Sequence, residues 1–173
     1  MFDGRTCGWL YRYGAPSLMH FETKEDTDCP IQDLFVAISD FESFERSAIR
    51  RGVDVQRHGD TAAPRDGLYW DVTFNFRGSE RRVRIDVADY DVPNTISFAA
   101  VGNGMSGDLK VDLMALSAQR TRMTVRVDLK PKTLAARLLL QSLKLARNKL
   151  NRKFRTRVAE FARQTEERLA RSA

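Results

Sequence analysis

The order and spacing of apolar residues predict an α+β domain: one strand, two short helices, six antiparallel strands and a long C-terminal helix. Three observations carry this. Apolar residues recur at intervals of three and four between Ile31 and Phe44, alternate with a period of two from Gly67 to Leu129, and return to a helical period from Thr133 onward, where there is neither Gly nor Pro.

The first strand begins at His20 and ends near Asp28. Pro30 suits the first turn of a helix, with Asp28 or Cys29 at its cap. Ile31, Leu34, Phe35 and Ile38 form its buried face, and a second helix restarts at Ser39 or Asp40, placing Phe41 and Phe44 on one side. Gly52 marks the exit from this pair. Trp70, Val72, Phe74 and Phe76 then share one strand face, followed by Val83, Ile85 and Val87; Ile96, Phe98 and Ala100; Leu109, Val111 and Leu113; and Met123, Val125, Val127 and Leu129. Arg81, Asp89, Gln119 and Thr121 are the polar residues in this inward phase. Connectors as short as RGSE and DVPN require antiparallel neighbours, because parallel strands need crossovers of a dozen residues or more. A final helix of roughly 35 residues, about 50 Å at 1.5 Å per residue, outruns the width of one sheet, so it must overhang, bend or meet a partner.

At 173 residues and 42% hydrophobic, the chain is the size of a single domain that can bury a core without staples. Cys7 and Cys29 lie far apart and outside any CxxC or Cys/His spacing, and His20 and His58 have no clustered ligands, so no disulfide framework, metal or cofactor is expected. A reducing, cytoplasmic setting follows. No apolar run is long enough for a membrane span, and residues 1–18 lack the apolar stretch of a secretory signal. Met19 sits directly before the first strand, which suggests a downstream start: residues 1–18 are expected to be an extension irrelevant to the fold, and residues 19–173 one domain.

The element order, the stretch CPIQDLFVAISDFESFE and the terminal amphipathic helix resemble the SRPBCC superfamily, also called START-like or Bet v 1-like. That resemblance implies a helix-grip fold, in which a curved sheet of about seven strands wraps the long helix and the short helices plug one end of a cavity. It further implies a hydrophobic small molecule, such as a lipid, quinone, isoprenoid or polyketide, as the partner. The cavity residues would be Phe35 and Phe41 on the short helices, Trp70, Phe74, Phe76, Ile85, Phe98 and Met123 on the sheet, and Leu139 and Leu143 on the long helix. Their role would be shape and burial. The same aromatics also suit a filled core, since interiors pack to near-crystal density, and both readings stay open at this stage.

Inward carboxylate pairs, a Ser/His/Asp set and a Cys/His set are all absent from the sequence pattern, so no residue is nominated as catalytic. A polyketide cyclase or dehydratase is the enzymatic alternative. A third reading comes from charge. Between Lys130 and Ala159 ten Lys and Arg residues occur without one Asp or Glu, in a chain whose net charge is only +6. Lys144, Arg147, Lys149, Arg152, Lys153 and Arg155 would present a surface to an anionic partner, either a membrane or, less well supported, RNA or a ribosome, because Phe154 is the only aromatic inside the run. The plain alternative is a solvated helix face.

Overall fold

In the computed structural model, which describes residues 19–172, the alternating segments form one seven-stranded antiparallel sheet. The elements in chain order are β1 (Met19–Thr27), α1 (Ile31–Ile38), α2 (Phe41–Ile49), β2 (Asp54–His58), β3 (Tyr69–Phe76), β4 (Ser79–Asp91), β5 (Thr95–Gly102), β6 (Met105–Ser117), β7 (Arg120–Pro131), α3 (Leu134–Lys144) and α4 (Arg147–Ser172). β2 through β7 run as a meander, and β1 returns to pair with β7, so the order across the sheet is β1-β7-β6-β5-β4-β3-β2. Cys7 and the anticipated N-terminal extension lie outside the described residues.

β2 is the first of the six strands after the helices, a five-residue edge segment in DVQRH whose only alternating apolar residue is Val55. Its register is held by the longer β3, opposite which Val55 meets Val72. The β3–β4 hairpin turns through Arg77 and Gly78 and the β5–β6 hairpin through Asn103 and Gly104, all four with positive φ, the geometry whose twist matches flanking antiparallel strands. Gly102 is required by close approach: a Cβ there would lie 2.1 Å from the Arg82 carbonyl oxygen.

Two register shifts correct the inward phase read from strict alternation. An irregularity between Val87 and Asp89 leaves Asp89 exposed and brings Tyr90 opposite Ile96, where its ring packs 5.2 Å from Phe35. A second, between Ala115 and Ser117, precedes the β6–β7 turn, and Gln119 lies exposed in that turn. Thr121 is inward and wholly buried. It can be, because its hydroxyl donates to the Cys29 carbonyl (2.9 Å) while the Thr27 hydroxyl donates to the Thr121 carbonyl (3.0 Å). This buried exchange pins the β1–α1 junction to β7.

The cap of α1 also differs from expectation. Pro30 itself occupies the cap position without a side-chain hydrogen bond, and the Asp28 amide donates instead to Glu166 on α4 (2.7 Å). Asp40 caps α2 by accepting from the Ser43 amide, and the Ser39 hydroxyl, donating to the Phe35 carbonyl at 2.7 Å, closes α1. The long C-terminal helical stretch is bent. Thr133 caps α3, the ladder breaks at Leu145 and Ala146, and the Ala146 amide reaches only to Leu143 before α4 resumes. The break resolves the mismatch of length: α3 lies against β7, while the 26 residues of α4 run along β1 and meet α1.

Buried side chains form two clusters. Leu34, Phe35, Ile96, Met123 and Val158 join α1, the sheet and α4, while Phe41, Leu68 and Trp70 join α2 to β3. Phe98 packs against both, and an unfilled space lies between them.

Candidate functional site: an apolar cavity between sheet and helices

The cavity has a volume of about 580 Å³ and its lining is almost wholly apolar. Its shape follows from register. Along one row of the inner face, Trp70 is opposite Ile85, Ile85 opposite Ala100, Ala100 opposite Gly107 and Gly107 opposite Leu129. In the middle of that row two strands contribute a methyl group and a hydrogen, so space remains where large side chains would have met. The next row, Val87, Phe98, Leu109 and Val127, forms bulkier wall on the side of the short helices.

α2 closes one side. Phe41, Phe44 and Ala48, at helical spacing, face the cavity; Phe41 stacks edge-on against Trp70 (5.4 Å) and Phe98 (6.1 Å). Opposite, α4 contributes Val158 and Phe161, with Phe161 5.7 Å from Phe44. Phe44 is 46% exposed, so this ring pair stands at the rim between α2 and α4.

Among the described residues only Glu45, Asp108 and Arg157 bring titratable side chains to the lining of the space. The Glu45 carboxylate accepts from Trp70 Nε1 (2.7 Å) and pairs with Arg57 on β2 (3.3 Å), so its oxygens tie α2 to the sheet edge. Asp108 points to the outer face, where it meets Lys130 (3.1 Å), and Arg157 pairs with Glu160 (3.4 Å). Arg81 is on the inner face beyond the cavity, opposite Phe74, and its buried Nε has no hydrogen-bond partner among the described residues. Cys29 does not line the cavity. Burial pushes its thiol above the usual range, which keeps it protonated and poorly nucleophilic. His20 pairs with Asp128, while His58 stacks on Tyr69 and pairs with Asp71. Among the described residues no cluster of His, Cys, Asp or Glu could hold a metal ion, and no helix is long and apolar enough to cross a membrane.

Of the nominated cavity residues, the structure brings Phe41, Trp70, Ile85, Phe98 and Met123 together at the lining. Phe35 belongs to the packed core beside Tyr90. Phe74 and Phe76 share the phase of Trp70 but lie farther along β3, near the hairpin, where the Arg77 guanidinium covers Phe76. Leu139 and Leu143 are on α3, and α4 supplies the helical wall in their place. Lys144 lies at the end of α3 and Arg147, Lys149, Arg152, Lys153 and Arg155 in the first half of α4, all exposed. Phe44, Ala48, Ala100, Gly107, Val158 and Phe161 are lining residues that were not nominated. The helical spacing of Val158 and Phe161 was visible in the sequence, but which part of the stretch faces the sheet depends on the break at Leu145.

No family model and no curated protein matches this chain. Solved structures do. A conserved protein from Geobacillus kaustophilus superposes with a TM-score of 0.57 at 12% identity, over 89% of this chain and 97% of that one. The ZhuI aromatase/cyclase from Streptomyces sp. R1128 gives 0.56 at 14% identity, over 87% and 95%. Ara h 8.0201 gives 0.50 at 18% identity, over 67% and 79%. At these identities the likeness is one of fold, and it agrees with the architecture built above: a curved antiparallel sheet closed by two short helices and gripping a C-terminal helix, which fits the arrangement that the resemblance to the SRPBCC superfamily implies.

Proposed function

We propose that the protein binds a hydrophobic small molecule, lipid-, quinone- or polyketide-like, in the cavity between the sheet and α4. The observation that carries this reading is the cavity itself: about 580 Å³ of space, within the range of small-molecule sites, bounded by side chains that offer a ligand almost no polar partner. An apolar void of this size forfeits packing contacts along its walls, and an apolar occupant would restore them. Recognition would therefore rest on shape and burial. Each additional buried methylene is worth about 0.8 kcal/mol, or about fourfold in affinity, until the space is full.

Binding without turnover is the favoured reading because both carboxylates among the lining residues are engaged, Glu45 by Trp70 and Arg57 and Asp108 by Lys130, rather than presented to a ligand. Likeness to an aromatase/cyclase supports the container, and the chemistry would need a free acid or base that the lining does not offer. The test is native mass spectrometry of protein purified under gentle conditions, with organic extraction of whatever accompanies it, followed by titration with a homologous series of n-alkanols. A stoichiometric apolar species and an affinity that climbs along the series are expected. An empty protein whose affinity is indifferent to chain length would overturn the reading.

A further inference from the structure

We infer that the outer face of α3 and the bend into α4 form a docking surface for an anionic lipid bilayer. Leu134, Leu138 and Leu145 are 73%, 58% and 93% exposed. At about 100° per residue they fall within roughly 40° of one another around the helix, a single protruding stripe. Isolated surface leucines need no explanation, but an aligned stripe of them does.

The second observation is independent of the first. Arg137 and Lys144 lie along one side of the stripe, and Arg147, Lys149, Arg152, Lys153 and Arg155 continue from it along α4, all exposed. Among the described residues none of these seven forms an ion pair with a carboxylate; the first acidic residue after the run is Glu160, which pairs with Arg157. The outer face of the sheet is built the opposite way. There Arg84, Arg122 and Arg126 each hold a carboxylate at 2.8 Å or less. A protein that neutralises cations on one face and leaves seven unneutralised on another has an unmet electrostatic demand at the second.

Protruding leucines bordered by unpaired Lys and Arg match the lipid–water interface, where the apolar stripe enters the acyl boundary and the cations meet headgroups. A nucleic acid would satisfy the charges and leave the leucines in water, and the run supplies no exposed aromatic for stacking. The cationic run ends at Arg157, which lines the cavity, so docking would bring that wall to the bilayer. The surface stands without the ligand-binding reading; only a use in loading the cavity would rest on it.

The test is co-sedimentation of the full chain with vesicles of phosphatidylcholine alone and of phosphatidylcholine mixed with phosphatidylserine. Binding is expected only to the anionic vesicles, weakening as salt rises. Arg147→Gln, Lys149→Gln and Arg152→Gln should each weaken it about fivefold. The combined Leu134→Ser, Leu138→Ser, Leu145→Ser variant alters exposed positions, should keep the wild-type circular dichroism, and should lose about tenfold or more. Equal binding to both vesicle types, wild-type binding by the leucine variant, or retention of an RNA oligonucleotide with no vesicle binding would each overturn the inference. Co-sedimentation should be unchanged by Ala100→Phe, which acts only inside the cavity.

Discussion

The two faces of the sheet are made by the same strands and solve opposite problems. On the outer face, alternate residues are Arg and Asp or Glu placed to meet across strands: Arg122 grips Asp26 with two bonds (2.6 and 2.9 Å), and Arg126 bridges Glu22 on β1 and Asp112 on β6 (2.8 and 2.6 Å). These pairs stitch β1, the strand most distant in sequence from its neighbour, onto β7. On the inner face the alternate residues are apolar and unequal in size, and where Ala100 meets Gly107 they leave a hole. Saturated charge tolerates no guest, whereas an unsatisfied apolar volume invites one. The lesson is that the capacity for a ligand lies in two small residues as much as in the aromatics around them.

The largest expected effect lies where the inner face is packed. Ile96 is 1% exposed and joins the core under α1, so Ile96→Ala should cost about 2–5 kcal/mol in a urea unfolding curve. Ile85 borders the cavity and already lacks neighbours on one side, so Ile85→Ala should cost less than Ile96→Ala. Equal losses would mean that the space is not a void in solution. Next comes the tie between α2 and the sheet edge. Glu45→Gln keeps a hydrogen bond to Trp70 but loses the charge that holds Arg57, and should cost about 1 kcal/mol while raising the rate at which an apolar probe exchanges, because α2 closes the cavity.

The smallest effect belongs to the outer face. The hydrogen bonds from Arg122 to Asp26 and from Arg126 to Glu22 hold both carboxyls below the usual carboxylate range. A carboxyl whose value is lower folded than unfolded contributes stability that is complete above its unfolded value, near 4, and disappears as pH falls through the folded one. Stability should therefore be flat from neutrality to about pH 5 and decline below that. In Asp26→Asn the decline should be shallower, which chemical denaturation at a series of pH values would reveal.

The sequence was most legible where period and parity suffice. Alternation from Trp70 to Leu129 implied an antiparallel sheet, and CPIQDLFVAISDFESFE implied two broken helices, because both signals are local. It was least legible where one residue changes the count. The irregularity beside Ala88 exchanges Asp89 for Tyr90 on the inner face, and nothing about ADY marks it without the neighbouring strand. The helix break at Leu145 has no Gly or Pro to announce it, so nothing in the sequence separates Leu139 and Leu143 from Val158 and Phe161 as cavity wall. Phe74 and Phe76 share the parity of Trp70, yet parity does not say how far along a strand the cavity extends. Ala100 and Gly107 were visible as small residues; their meaning required the register that sets them opposite each other.

The most direct measurement is a fluorescence titration with N-phenyl-1-naphthylamine, an uncharged apolar probe indifferent to the cationic surface, against the wild type and Ala100→Phe. Wild type is expected to bind one equivalent with saturation. Ala100→Phe, its ring occupying the space over Gly107, should fold with nearly unchanged stability and bind about a hundredfold more weakly. Equal binding by the two proteins would contradict the account, since the probe would then be held somewhere other than between the sheet and α4.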